Sequence, residues 1–523
     1  MARRTNNNAS RLHYGFAIGE TIRLDRGMKN VILLIAVSMT WLGAAAASEK
    51  PNIVLIVADD LGFRELGCYG QKKIQTPRID QLATEGMRFT RAYSGSPVCA
   101  PSRCVLMTGK HPGNAIVRNN RPMKPEGQHP IPSSEETIAE LLQQEGYISG
   151  AFGKWGLGNI WSEGNPNKQG FETFFGYNCQ SHAHSYYPAF LWSNEEKYPL
   201  NNDPPVPGHG GLSASADPNN PLSYNSFKGD DYASDHINDH ALQFIRDHKD
   251  RPFFLYYPSL IPHVALHVPD EDLKLYLDEG WKDPPFTREG GYGYTPHFTP
   301  RAAYAAMITK LDTYVGRVLD LIEELDLADN TIVIFSSDNG TTHLKKEVDY
   351  DFFASVGELR GLKGQLWEGG IRVPQIVKWP GKVEAGSVTD QVTGFEDWLP
   401  TLLDLTSAEA AVPEGVNGIS IAETLLENEE VKRGFLYREF QGYGGQQAVW
   451  LGNKWKGIRT DILKKNNKKP LKIELFDLES DPSESIDVAA ANPEVVSDIE
   501  ALMSSERTVS EEFGMGTLDE VTN

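Results

Sequence analysis

Two pairs of oxygen-bearing side chains follow two apolar segments that lie far apart in the chain. Asp59 and Asp60 come directly after the first segment. Asp338 and Asn339 come shortly after the second. Hard oxygen ligands select calcium or magnesium over softer metals, and calcium accepts flexible cages of side-chain oxygens more readily than magnesium does. The four side chains therefore predict a calcium site.

The two apolar segments have the composition of strands that are buried on both faces. They are residues 52–57 and 331–335, and the second follows a helical pattern over 301–325. Ligands of open α/β sheets gather just beyond the carboxyl ends of strands, so both acidic pairs are expected at one edge. Similar apolar runs occur at 148–152, 253–257 and 373–379. Together they predict an α/β fold with a mostly parallel, doubly wound sheet.

Segments rich in Gly, Pro, Asn and aromatic residues interrupt this pattern at 161–232 and 281–300. They show no periodicity and predict long surface loops of the kind that shape a substrate cleft. Beyond residue 425, short strand patterns followed by a helical tail predict a smaller α+β domain with an antiparallel sheet. We therefore place the catalytic domain at 48–425 and the second domain at 426–523.

The first 47 residues have the features of a targeting segment. Met28-Lys29-Asn30 precedes an apolar run that ends in small residues at Ala47. This pattern predicts a secretory signal over 28–47 with cleavage near Ala47, and residues 1–27 as an over-extended start. A transmembrane anchor is the alternative, but about 17 apolar residues are marginal for crossing a bilayer. The mature protein is therefore expected to be secreted or periplasmic, without an integral membrane segment.

The chain is acidic, with a formal net charge of −21. Removal of residues 1–47 takes away six basic and two acidic residues and shifts this charge to −25. Such a field argues against nucleic-acid binding and would repel an anionic substrate. Any anionic substrate must therefore be drawn by a local cluster of Lys and Arg side chains.

Cys99 stands in the segment Cys99-Ala-Pro-Ser-Arg103, between the two acidic pairs. With this motif the chain resembles the type I, formylglycine-dependent sulfatases, which are arylsulfatase-like members of the alkaline phosphatase superfamily. The matching segments are 51–60, 66–70, 76–77, 99–103, 153–155, 262–263, 337–340, 361–364, 368–374, 475–478 and 481–482. Their order covers nearly all of the mature chain. The resemblance implies an alkaline-phosphatase-like sheet.

In this family the cysteine is oxidised by a formylglycine-generating enzyme to formylglycine, whose hydrated aldehyde supplies the nucleophile. The resemblance thus implies formylglycine at Cys99 as a cofactor made from the chain. It also implies that Cys99 joins Asp59, Asp60, Asp338 and Asn339 around a bound calcium.

The resemblance implies roles for four further residues. Arg103 would hold the nucleophile and the carboxylates on the metal side. Lys154 and Lys363 would bind sulfate oxygens and neutralise charge that develops during transfer. His263 matches the family histidine near the leaving oxygen and would serve as general acid.

The chain departs from the family pattern at one position. Related arylsulfatases often read Gly-Lys-Trp-His-Leu-Gly, whereas this chain has Gly156 in place of the histidine. His343, four residues beyond Asn339, is the candidate substitute near the nucleophile. A loop histidine without a catalytic role is the alternative.

We therefore predict a sulfatase that hydrolyses a sulfate ester on a sulfated carbohydrate. The carbohydrate part rests on the predicted signal, the long aromatic loops and analogy with the family. One alternative is a phosphate mono- or diester hydrolase of the same superfamily. The other, suggested by the missing histidine, is a catalytically silent protein that binds sulfated glycans.

Overall fold

A large twisted sheet forms the centre of the computed structural model, which describes residues 50–288, 293–469 and 471–522. The predicted signal and the start at Met28 lie outside these residues. The strands of the large sheet are β1 (Asn52–Ala58), β2 (Met87–Tyr93), β3 (Ile148–Lys154), β4 (Thr173–Tyr177), β5 (Phe190–Ser193), β6 (Glu196–Pro199), β7 (Phe253–Pro258), β8 (Thr331–Ser337), β9 (Arg372–Lys378), β10 (Val388–Thr389) and β11 (Thr393–Gly394).

The strand order is β10-β2-β9-β8-β1-β7-β3-β4-β5-β6, with β11 also paired to β2. The five central strands β8, β1, β7, β3 and β4 run parallel to one another. Strand β9 is antiparallel to both of its neighbours, and β5 and β6 extend the other side as antiparallel strands. The predicted mostly parallel α/β sheet is confirmed.

The helices of the described residues are α1 (Pro77–Glu85), α2 (Cys99–Thr108), α3 (Ile138–Gln144), α4 (Ala233–His248), α5 (Asp270–Leu277), α6 (Pro300–Glu324), α7 (Tyr350–Phe353), α8 (Glu368–Ile371), α9 (Trp398–Leu405), α10 (Ala422–Glu427), α11 (Pro493–Ser505) and α12 (Thr517–Thr522). Helices cover both faces of the large sheet. Alternate residues of β1 enter different cores. Val54 and Ile56 belong to the buried cluster of α6, whereas Ile53 and Leu55 belong to that of α2 and α9. This alternation makes the sheet doubly wound.

The segment 161–232, predicted as loop, contains three strands. Residues Phe174 and Phe175 of β4 are buried, and β4 continues the parallel sheet beside β3. A five-residue strand between Gly- and Asn-rich stretches is too short to leave a periodic signal. The loop prediction was therefore wrong at β4, β5 and β6.

A second, four-stranded sheet follows, made of β12 (Phe435–Phe440), β13 (Gln446–Leu451), β14 (Trp455–Arg459) and β15 (Glu474–Asp477). The strands are antiparallel in sequence order, and α11 packs on one face. The predicted smaller antiparallel domain is therefore confirmed. Residues from Lys50 onward form one compact unit, so the boundary between 425 and 426 stays a prediction.

In the described part of the chain, no helix combines the length and apolarity needed to cross a membrane. All four cysteines, which are Cys68, Cys99, Cys104 and Cys179, are present as free thiols. The thiol of Cys99 is thus available for the chemistry that its motif predicts.

Candidate active site

The acidic cluster forms where β1 and β8 end side by side. Ala58 is paired in register with Ser337, and these are the last residues before the two acidic pairs. The Asp338 N–H donates to the Ala58 carbonyl at 3.0 Å, and the Asn339 amide donates to Asp60 Oδ1 at 2.8 Å. All four predicted ligands are buried at one edge of the sheet.

The cysteine motif forms the start of α2. Cys99 is the first helical residue, and Pro101 falls in the first turn, where its missing N–H removes no helical hydrogen bond. The helix ends at Thr108 and is capped by Gly109, which has φ +67° and whose N–H donates to the Val105 carbonyl at 2.9 Å. Cys99 and Arg103 are one turn apart and therefore share a face of the helix.

Arg103 joins α2 to the acidic cluster. Its Nε donates to Asp338 Oδ2 at 3.1 Å, and one terminal nitrogen donates to the same oxygen at 2.8 Å. That nitrogen also lies 3.3 Å from Asp59 Oδ2, while the other donates to the Lys154 carbonyl. The guanidinium is fully buried, so this fork fixes the helix relative to both strand ends.

Two lysines add positive charge to the same cluster. Lys154, the last residue of β3, places Nζ 2.5 Å from Asp59 Oδ2. Lys363 lies in the loop before α8 and places Nζ 2.6 Å from Asp60 Oδ1. Both side chains are largely buried, so their charges are held in place rather than solvated.

The charges in this cluster shift one another. Burial raises the pKa of Asp59, but the surrounding positive charges, that of Lys154 foremost, hold it below its usual range. Burial raises the pKa of Asp338 to about 6, with Asp59 adding to the rise and Arg103 opposing it. Burial lowers the pKa of Lys154, but the Asp59 carboxylate brings it above the usual value. Asp59 therefore carries a negative charge in the folded protein.

The residues present fit a hard metal ion. Ligand atoms of Asp59, Cys99 and Asp338 all lie within 4.8 Å of one another. Two buried oxygens, Oδ1 of Asp59 and Oδ1 of Asn339, have no hydrogen-bond partner among the described residues. Buried polar oxygens without a partner are costly, and a cation would satisfy both.

His263 lies at the rim of the acidic cluster with a fixed orientation. Its Nδ1 donates to the Val264 carbonyl, which leaves Nε2 facing Asp60 Oδ2 at 3.8 Å. Burial, together with Lys363 and Lys154, lowers the pKa of His263 well below its usual range. Nε2 of the neutral ring is therefore an acceptor that faces the cluster.

His343 lies in the same cleft but points to a different partner. Its Nε2 is 3.4 Å from the Tyr443 hydroxyl, and the two rings meet edge to face. Within the described ranges, this hydroxyl rather than Cys99 is its hydrogen-bond partner. The structure thus brings nine of the ten predicted site residues together in one cluster or at its rim and places His343 at the cleft wall.

Asn120 contacts the predicted nucleophile and was not found from the sequence. Its Nδ2 lies 3.5 Å from Cys99 Sγ, and its Oδ1 accepts from the Ala100 N–H at 3.1 Å. It therefore ties the first turn of α2 to the segment that follows the helix. No spacing or motif around Asn120 distinguishes it from other loop asparagines.

A cleft of about 500 Å³ opens above this cluster. Cys99 and Lys363 lie among its lining residues, together with side chains from the predicted aromatic loops. Phe440, at the end of β12, forms part of its wall, together with Gly442 and Tyr443 from the turn between β12 and β13. The second sheet therefore contributes directly to the cleft.

Family comparisons match most of the chain. The family model described as Sulfatase matches residues 51–408, and the model described as N-sulphoglucosamine sulphohydrolase, C-terminal, matches residues 362–508. The two matches overlap over residues 362–408, and Lys363 of the cluster lies in this overlap.

Three similar proteins cover almost the whole chain. Human N-acetylgalactosamine-6-sulfatase is 30% identical over 490 residues, which span 87% of this chain and 84% of the relative. N-acetylgalactosamine-6-O-sulfatase of Bacteroides thetaiotaomicron is 30% identical over 528 residues, which span 88% and 94%. The crystal structure of Ps i-CgsB in complex with k-i-k-neocarrahexaose has a TM-score of 0.71 and 27% identity, covering 91% of this chain and 97% of that one.

Proposed function

We propose that this chain, which belongs to the sulfatase family and is a sulfuric ester hydrolase, removes sulfate from a sulfated carbohydrate through a nucleophile made from Cys99. The observation that carries the proposal is the convergence of Arg103, Lys154 and Lys363 on the acidic cluster beside Cys99. Family membership favours this activity over the phosphate-ester and silent-binding alternatives.

The lysines are suited to bind the sulfate group. The molecule as a whole repels anions, since its net charge is −21. Each ammonium group has three donors, and the contacts of Lys154 and Lys363 with carboxylates leave donors for sulfate oxygens. Fixed cations stabilise charge that develops during sulfuryl transfer without reorganising.

We assign the nucleophile to formylglycine formed from Cys99, which supplies a hydrated aldehyde hydroxyl in place of the thiol. Residues of this chain position that group. Arg103, on the same helix face, holds the first turn of α2 against Asp338. The Asn120 amide lies beside the Sγ position and limits the orientations available to side chain 99.

We further propose that Asp59, Asp60, Asp338, Asn339 and the modified residue 99 hold a calcium ion. The two buried oxygens without partners support this assignment, since hard oxygen sets suit calcium. Such an ion would supply positive charge next to the sulfate position.

We assign the protonation of the leaving alcohol oxygen to His263. Its orientation is fixed because Nδ1 is bound to the Val264 carbonyl, so Nε2 is the nitrogen that faces the cleft. A proton on Nε2 is therefore the one that a leaving oxygen can receive. Lys363 lowers the pKa of His263, and the negative charge of the bound substrate would raise it again and so favour the protonated form.

The proposed substrate is a carbohydrate because two relatives are named N-acetylgalactosamine 6-sulfatases and one similar structure holds an oligosaccharide. The wall of the cleft carries Tyr294 and Tyr443, which are able to stack on sugar rings. An oligosaccharide with N-acetylgalactosamine 6-sulfate is therefore the first substrate to assay.

The test is release of inorganic sulfate from that oligosaccharide by protein purified from its native host. We expect release by the wild type and none by Cys99→Ala. A sulfate ester and a phosphate ester with the same leaving alcohol give the matched comparison, and the sulfate ester should react faster. Faster phosphate release, or equal sulfate release by Cys99→Ala, would overturn the proposal.

We propose that residues 28–47 are removed as a secretory signal, so that the enzyme is secreted or periplasmic. The small-residue pattern at Ala47 supports this proposal. Amino-terminal sequencing of the protein from its host should give a mature start near Ser48. A mature chain that retains residue 28 would contradict it.

A further inference from the structure

Gly156, the position where this chain departs from related arylsulfatases, lies against the side chain of Gln180. Its φ is +83°, and a Cβ atom there would lie 2.1 Å from Nε2 of Gln180. A contact below 3.0 Å cannot be tolerated without movement. Gln180 therefore occupies the space into which a histidine at position 156 would project.

Gln180 is held beside Gly156 by backbone pairing beyond the ends of β3 and β4. The Trp155 N–H donates to the Tyr177 carbonyl at 2.9 Å, and the Gly156 N–H donates to the Asn178 carbonyl at 3.1 Å. These bonds continue the parallel pairing of the two strands. Gln180 therefore lies just beyond the carboxyl end of β4, at the same edge of the sheet at which Lys154 ends β3.

The Gln180 side chain is a buried polar group without a partner. It is 5% exposed, and neither its Oε1 nor its Nε2 has a hydrogen-bond partner within the described ranges. Its side chain lines the cleft that also contains Cys99, His263 and Lys363. A buried amide that lacks both bonds is costly, so the position indicates a ligand that supplies them.

We propose that the Gln180 amide is a substrate contact that donates a hydrogen bond from Nε2 to the bound sulfate group. This inference rests on the sulfatase function proposed above. Hydrogen bonds to charged acceptors are stronger than those to neutral ones, and the sulfate oxygens are the anionic acceptors expected in this cleft. Gln180 thus provides a polar contact at the place where Gly156 offers none.

An amide differs chemically from the histidine of related enzymes. An amide does not titrate, so Gln180 binds by hydrogen bonding and transfers no proton. Gln180 therefore contributes affinity for the sulfate group, and its contact is independent of pH.

The test uses inorganic sulfate as the probe, measured by titration calorimetry with the full-length protein. We expect Gln180→Ala to raise the sulfate Kd by about 10-fold, as for loss of one hydrogen bond to a charged group. Gln180→Glu keeps the shape but places a carboxylate beside the anion, so its Kd should rise further. Gln375→Ala, at a buried glutamine in β9 whose side chain accepts from Trp398 and does not line the cleft, is the control and should bind as the wild type does.

A second pair of variants separates binding from packing. Gly156→Ala should displace Gln180 and weaken sulfate binding in a similar way, and the double variant Gly156→Ala with Gln180→Ala should be no weaker than Gln180→Ala alone. Wild-type Kd values in both glutamine variants would overturn the inference and leave the sulfatase proposal standing. Failure of the wild type itself to bind sulfate would contradict the sulfatase proposal and, with it, this one.

Discussion

At the residue scale, Arg103 connects the cysteine motif to the acidic cluster through contacts that the motif alone does not indicate. Its fork connects the first helix turn to two carboxylates that end different strands. The resemblance implied that Arg103 holds the nucleophile and the carboxylates on the metal side. Arg103 contacts Asp338 and Asp59, and its role toward the nucleophile stays a prediction. Removal of one partner from a buried ion pair leaves the other charges unpaired, which costs about 3–5 kcal/mol.

Replacement of Arg103 by Lys is therefore expected to be severe. Lysine keeps the charge but cannot make the three-point contact with Asp338 and Asp59, so both the melting temperature and the rate of sulfate release should fall. Differential scanning fluorimetry and a sulfate assay measure the two effects. Arg317→Lys is the control, because its pair with Asp239 is solvent-exposed and should matter little. Equal behaviour of the two variants would contradict the assigned role.

Glu65, which is not one of the proposed metal ligands, is expected to make the stability of the folded protein depend on pH. Burial raises its pKa to about 7, against hydrogen bonds from Tyr304 and Gly62 that lower it. The unfolded chain releases this proton near its usual pKa of 4.5, so folded Glu65 binds the proton more tightly. Stability from this group is present below pH about 4.5 and is lost as the pH rises toward about 7, by at most about 3 kcal/mol.

Glu65→Gln should remove this pH dependence, because glutamine mimics the protonated acid. The melting temperature of the variant, relative to the wild type, should rise between pH 5 and about 7 and then level off. Fluorimetry in a series of buffers tests this difference directly. Parallel curves for the two proteins would show that Glu65 keeps an ordinary pKa.

At the element scale, the turn between β12 and β13 links the second sheet to chemistry on the first. Tyr443, in this turn, has φ +52° and packs against Gly364, next to Lys363. Its hydroxyl lies 3.4 Å from Nε2 of His343, and both residues line the cleft. We therefore expect this turn to contact the carbohydrate rather than the sulfate group.

Tyr443→Ala should thus raise KM for a sulfated oligosaccharide several-fold, since loss of one stacking contact costs about 1 kcal/mol. It should leave the kcat/KM of a small aryl sulfate nearly unchanged. Steady-state kinetics on the two substrates distinguish these effects, with Tyr443→Phe as the variant that keeps the ring. A parallel loss on both substrates would place Tyr443 at the sulfate instead.

Much of this arrangement was predictable at the element scale, because it depends on buried strands. The apolar runs that became β1 and β8 end in acidic pairs, and the rule for parallel sheets placed these pairs together. Asn120 and Gln180 were not predictable, because their roles come from contacts between loops that carry no periodic signal. The short strand β4, which precedes Gln180, was also not predicted, because five residues leave no periodic signal.

At the scale of the whole molecule, the acidic surface and the cationic site have opposite effects on an anionic substrate. The net charge of −21 repels it at long range, and the buried cations attract it at contact. Cations in solution screen the long-range repulsion within about 10 Å at 0.1 M salt. The metal proposed here would add to the local attraction and hold the two strand ends together.

Removal of divalent cations should therefore destabilise the folded protein. A ligand present at about 100 times its Kd stabilises the folded state by about 2.7 kcal/mol, so chelation should lower the melting temperature and calcium should restore it. Magnesium should restore less, since it retains water and prefers octahedral sites. A melting temperature that chelation leaves unchanged would argue against a metal in the acidic cluster.

The proposed sulfatase depends on Cys99 for its nucleophile. Mass spectrometry of the peptide that contains residue 99, from protein purified from the native host, would show whether the thiol has been converted. We expect an aldehyde in place of the thiol, with loss of sulfate release when conversion is prevented. An intact thiol in protein that nevertheless releases sulfate would contradict the mechanism assigned to this site.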